Sequence, residues 1–143
     1  MYFCRMRLMA IDYGQKRTGI AVSDPAQIIA QGLTTVETSR LMAFLADYFG
    51  HEPVERVVIG RPVQNSGADS ENAARVDAFI ARFRKTFTSI PIETADERFT
   101  SVLAHRTMID GGLRRQARQN KALVDEISAT IILQSYMESQ RLK

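Results

Sequence analysis

Apolar residues in this chain fall into two patterns, and the order of those patterns predicts a fold. Uninterrupted apolar runs occur at Leu8 to Ile11, Gly19 to Val22 and Val57 to Ile59. Short runs of this kind, rich in branched residues and bounded by turn residues, predict strands buried on both faces. Strands are therefore expected at about Leu8 to Tyr13, Gly19 to Ser23 and Arg56 to Gly60, with others near Leu33 to Glu37 and Pro91 to Ala95. Pro91 stands at the first position of its strand, where a missing donor is tolerated. Elsewhere the apolar period changes to that of a helix: Leu41, Phe44, Leu45 and Tyr48, then Val76, Phe79, Ile80, Phe83 and Phe87. Ser39 reads as the N-cap of the first helix and Gly50 as its end; Asp69 or Ser70 opens the second. Two further helices are expected, from Thr100 to Gly111-Gly112 and from about Asn120 to Gln140.

Three strands with short connections, followed by alternating helices and strands, imply an α/β fold. It has a mixed five-stranded sheet, the first three strands antiparallel, with helices packed on its faces. No internal repeat or linker divides residues 1–143, so a single domain is expected, long enough for a sizeable core. No apolar run approaches the roughly 20 residues of a membrane span. The segment Met1 to Arg5 is too short and basic for a signal peptide's apolar region. The single Cys4 excludes an internal disulfide and a cysteine zinc site, which suits a reducing cytoplasm.

Charge adds a partner. The net balance is only +3, but six Lys or Arg lie from Arg98 to Lys121 against one acid, Asp110. The segment Gly111 to Arg118 reads as a basic loop between helices. It is either simply solvated or a clamp on phosphates.

Three acidic positions stand where packing would not put them. Asp12 ends the first strand, just before Tyr13-Gly14; Asp96-Glu97 ends the fifth; Asp125-Glu126 interrupts the apolar face of the last helix. Taken alone, Asp12 reads equally well as a turn residue. Projection of the last helix sets Asp125 among Ala129, Ile132 and Tyr136, but Glu126 falls between Leu133 and Met137, so pattern leaves the pair open. Strand alternation leaves Asp96 and Glu97 open as well. One reading pairs Asp96 and Glu97 with Arg98, and Asp125 with Lys121 one turn back. The other gathers the carboxylates around divalent cations, for which hard oxygen donors select Mg²⁺ or Mn²⁺. Two such ions can stabilise the attacking and leaving oxygens of a phosphodiester displacement. His51 and His105 are isolated, and no Gly-x-x-x-x-Gly-Lys loop or hydrolase elbow is present.

Four blocks carry a family resemblance over nearly the whole chain: Ala10-Ile11-Asp12-Tyr13-Gly14 through Gly19 to Asp24; Val58-Ile59-Gly60-Arg61-Pro62; Asp96-Glu97-Arg98-Phe99-Thr100-Ser101; and Lys121 through Asp125 to Leu133. In this order they resemble the RuvX (YqgF) family, bacterial proteins with a ribonuclease H-like fold related to the resolvase RuvC. The resemblance implies catalytic, metal-holding acids at Asp12, Glu97 and Asp125, with Asp12 shared between two Mg²⁺ or Mn²⁺ ions. It implies phosphodiester hydrolysis in 5′-end maturation of precursor 16S rRNA. The alternative within the family is resolution of Holliday junctions in branched DNA. Lys16, Arg17, Arg98, Arg114, Arg115, Arg118 and Lys121 are the candidate strand contacts. Arg61 departs from the family's Leu, a change expected to alter how that loop meets substrate. Two other classes compete. Asp-x-Gly followed by Gly-Ile-Ala-Val also resembles a phosphate loop of the actin and sugar-kinase superfamily, which needs a second lobe. A catalytically silent nucleic-acid-binding module is the non-enzyme reading. A cytoplasmic monomer or weak homodimer is expected, with nucleic acid rather than a membrane as its partner.

Overall fold

The computed structural model describes residues 6–62, 67–96 and 121–141. Strands β1 (Arg7–Tyr13), β2 (Arg17–Ser23) and β3 (Ala30–Glu37) form an antiparallel meander. A 3-10 turn over Thr38–Arg40 leads into α1 (Leu41–His51), followed by β4 (Val54–Arg61), α2 (Gly67–Thr86), β5 (Ile92–Asp96) and α3 (Lys121–Arg141). The sheet order is β3-β2-β1-β4-β5, with β1, β4 and β5 mutually parallel. The predicted mixed five-stranded sheet, antiparallel in its first three strands, is thus the one observed. The helix expected from Thr100 to Gly111 lies outside the described residues.

Alternation along the central strands divides the sheet into two unlike faces. Met9, Ile11, Tyr13, Ile20, Val22, Val57 and Ile59 point to one side, where Leu41 and Leu45 of α1 and Val76, Phe79, Ile80 and Phe83 of α2 complete a core of large side chains. Leu8, Ala10, Ala21, Ala30 and Val58 point to the other, against Ala129, Ile132, Leu133 and Met137 of α3. Small residues dominate this second face, so α3 settles close to the strands.

The elements differ from the sequence expectation at their ends. Strand β3 begins at Ala30 rather than Leu33, because ladder pairing from Ala21↔Gly32 to Ser23↔Ala30 carries it through a segment with a turn-like composition. Helix α1 has no side-chain cap: Arg40 occupies the N-cap position, and the preceding 3-10 turn takes the role assigned to Ser39. Gly50 does not end α1, which runs on to His51. Helix α2 starts at Gly67, ahead of Asp69. Phe87 lies just past α2 yet still packs edge-on to Phe49, with ring centroids 5.0 Å apart.

The β2–β3 connection explains Asp24. Its Oδ1 accepts the backbone N–H groups of Ile28 and Ile29 at 2.7 and 2.8 Å. These bonds, with Ile29 foremost, hold the carboxyl below its ordinary pKa. Asp24 is therefore a turn-closing residue, and it supports the positive φ of 59° at Gln27. Among the described residues no helix is long and apolar enough to cross a membrane.

Candidate metal and nucleic-acid site

Parallel strands bring their carboxyl ends to one rim, the edge at which sheets of this kind bind ligands. Here the rim carries Asp12 on β1, Gly60-Arg61 on β4 and Asp96 on β5. Asp12 lies one residue beyond Ile11↔Ile59, the last pairing of β1 with β4, and is half-buried. It shares the face of Leu8 and Ala10, and its partner across the hairpin is Gly19.

Gly19 is the point at which α3 meets the sheet. A β-carbon built there would lie 2.9 Å from the β-carbon of Asp125 and would overlap the Asp125 carbonyl. Only glycine leaves room for that approach. The absent side chain therefore sets Asp125 over the strand residue paired with Asp12. Glu126 takes a different place. Its β-carbon stands 3.4 Å from a β-carbon built at Gly32, on the edge strand β3. The two acids that helical projection left equivalent are thus separated by which glycine each covers.

Arg17 shares the face of Gly19, two residues away on β2, and its Nε donates to Asp125 Oδ2 at 3.2 Å. Glu37, opposite Arg17 in the β2–β3 register, pairs instead with Arg40 at 3.6 Å. The alternative partner considered for Asp125, Lys121, opens α3, and its side chain is outside the described residues. Lys16 is exposed in the β1–β2 turn. Of the other predicted residues, Glu97, Arg98, Arg114, Arg115 and Arg118 lie outside the described residues. Among the described residues no three His, Cys, Asp or Glu side chains gather into a metal-binding group. Of the three expected carboxylates, Asp12 and Asp125 lie among the described residues.

Thr38 was not singled out by the sequence, although it secures this hairpin. Its hydroxyl donates to the Gly14 carbonyl at 2.7 Å and stands 2.8 Å from the buried Thr18 hydroxyl. Its backbone N–H donates to the Lys16 carbonyl at 2.9 Å. One residue just past β3 thus fixes the turn between Asp12 and Arg17. A lone Thr after a strand carries no periodic signal, so nothing in the pattern marks it. Arg61 also has a partner that the pattern does not mark. Its guanidinium makes a two-pronged contact with Asp77 of α2, both arms 3.0 Å long. That bond holds the Asp77 carboxyl below its ordinary pKa. Arg61 therefore ties β4 to α2.

The donor chemistry fits a hard divalent cation: oxygen donors alone, with the Arg17 guanidinium already standing as the cation on one of them.

The family model described as "RuvX: Holliday junction resolvase" matches residues 6–139. A protein of Bacteroides thetaiotaomicron named "Putative pre-16S rRNA nuclease" is 59% identical over 135 residues, covering 94% of this chain and 98% of that protein. A Flavobacterium psychrophilum protein of the same name is 56% identical over 131 residues, covering 92% and 96%. Among solved structures, Thermus thermophilus RuvC in complex with a Holliday junction substrate aligns over 95% of this chain and 96% of its own. The TM-score is 0.59 at 15% identity, a likeness of fold. The sheet order agrees with that ribonuclease H-like fold, and the chain belongs to the RuvX family of nucleases.

Proposed function

We propose that the Asp12–Asp125 face is the active site of a divalent-metal nuclease that trims the 5′ end of precursor 16S rRNA. The observation that carries this reading is the stacking of Asp125 over Gly19, the cross-strand partner of Asp12. Two carboxylates placed at neighbouring strand positions on one face of the sheet supply the hard oxygen donors that a divalent cation takes. Glu97 is the third acid. The resemblance of the Asp96-Glu97-Arg98 block to the family's motif supports Glu97 over Asp96.

Asp12, Glu97 and Asp125 would hold Mg²⁺ or Mn²⁺, two ions in the full site. When bound, divalent ions neutralise charge building on the attacking and leaving oxygens of an in-line displacement. Lys16, Arg17, Arg98, Arg114, Arg115, Arg118 and Lys121 grip backbone phosphates, which positions the strand without reading its sequence. The hairpin fixed by Thr38 keeps Lys16 and Arg17 beside the acids. The rRNA assignment draws on the names of relatives at 51–59% identity, and it carries a cytoplasmic location with it. The family description favours a second substrate, the four-way junction, whose symmetry calls for a dimer.

The test is a side-by-side cleavage assay in Mg²⁺, Mn²⁺ or EDTA, using a 5′-extended 16S precursor fragment, unrelated single-stranded RNA and a four-way DNA junction. The reading predicts divalent-dependent shortening of the precursor, in preference to the other two. Cleavage of the junction alone would assign the resolvase activity. Binding without cleavage in either metal would make the chain a silent module.

A further inference from the structure

We propose that Arg17 is a tethered counter-cation: it holds Asp125 in the metal-free chain and competes with a divalent ion for that carboxylate. The inference rests on Asp125 being a metal ligand, as proposed above. Three observations carry it. Arg17 reaches Asp125 from β2, across 108 residues of sequence, although Glu37 lies opposite it on β3. Glu37 is engaged by Arg40, so the sheet leaves Arg17 to the acid on the helix. The contact is also a weak one for an ion pair. It runs through Nε at 3.2 Å, with the Arg17 side chain 41% exposed and Asp125 23% exposed. Compare Arg61, whose two arms at 3.0 Å bind Asp77 in the stronger forked geometry.

A one-pronged, solvent-accessible pair of this kind contributes little and is screened by salt. It suits a cation that must leave. Without it, the face that carries Asp125 over Gly19, the cross-strand partner of Asp12, would have that much less compensating charge. With it, the metal-free face is partly neutralised, and an incoming divalent ion meets a like charge a few ångströms away. Arg17 therefore offsets part of the charge of the empty face and weakens the first step of metal loading. Once displaced, its guanidinium stands free beside the site, where the phosphate contact assigned to Arg17 becomes available to it.

The test is Mn²⁺ binding by calorimetry on the full chain without nucleic acid. Arg17→Met removes the competing charge, and the expected result is Mn²⁺ binding about two- to fivefold tighter than wild type, the range for one exposed ion pair. Arg17→Lys keeps the charge and is expected to bind as the wild type does. Asp125→Asn should weaken Mn²⁺ binding, and in that background Arg17→Met should have no further effect. Unchanged or weaker binding by Arg17→Met would overturn the counter-cation role. If Asp125→Asn also left Mn²⁺ affinity untouched, the metal reading itself would fail; if only Asp125→Asn weakened it, that reading would stand and Arg17 alone would be reassigned.

Discussion

Gly19→Ala is expected to destabilise the protein by about 3 kcal/mol, the upper part of the range for overpacking a close contact. The added methyl group would meet the carbonyl and β-carbon of Asp125. A flexible side chain can turn away from such a clash, but a helix backbone yields only by moving the helix. Displacing α3 would open the contacts that Ala129, Ile132 and Leu133 make with the strands, and it would carry Asp125 away from Asp12. Stability and any cleavage activity should therefore fall together. Gly50→Ala is the control. It sits in the last turn of α1 with nothing within 4 Å of an added β-carbon. There the same substitution should stabilise the chain by up to about 1 kcal/mol, through helix propensity and a less free unfolded state. Urea unfolding of both variants measures the contrast.

Asp12→Asn is expected to lower single-turnover cleavage by at least about 10²–10³-fold, the loss seen when one group that stabilises transition-state charge is removed. The amide has nearly the same shape as the carboxylate, so β1 and its pairing with Gly19 should persist. What disappears is a negative charge that would hold the divalent cation. Nucleic-acid affinity depends on the Lys and Arg residues and on phosphate neutralisation. It should therefore stay within about threefold of wild type, or rise slightly as one repulsive charge is removed. Fluorescence anisotropy in EDTA separates binding from chemistry. Full cleavage by this variant would remove Asp12 from the site.

Much of the fold was legible because the central strands carry uninterrupted apolar runs, which only a sheet covered on both faces can bury. Val57-Val58-Ile59 is the clearest case: Val57 and Ile59 enter one core and Val58 the other. Element ends were less legible, for reasons of tertiary origin. Gln31 and Gly32 precede the expected strand start near Leu33, yet pairing with Val22 and Ala21 of β2 makes them strand. Ser39 has the chemistry of a cap, but the 3-10 turn takes its place and the neighbouring Thr38 spends its hydroxyl on the hairpin.

The acids illustrate the same limit. Periodicity could set both Asp125 and Glu126 near an apolar face, but it could not say which strand each would cover. That depends on two glycines, Gly19 and Gly32, more than ninety residues earlier in the chain. Arg17 was legible as a basic residue near the candidate acid and was assigned to phosphate. Its contact with Asp125 depends on the packing angle of α3, which no local pattern encodes. Arg61 stood out as a departure from the family, and its explanation is Asp77, a partner sixteen residues away on α2.

The measurement that bears most directly on the site compares Asp125→Asn with Glu126→Gln in Mn²⁺-dependent cleavage of the precursor fragment. The two acids are adjacent on one helix and differ in what lies beneath them. Cleavage by Asp125→Asn should fall at least about a hundredfold while Glu126→Gln stays within about twofold of wild type. Equal loss in both variants, or a fully active Asp125→Asn, would contradict a site built where Asp125 crosses the partner of Asp12.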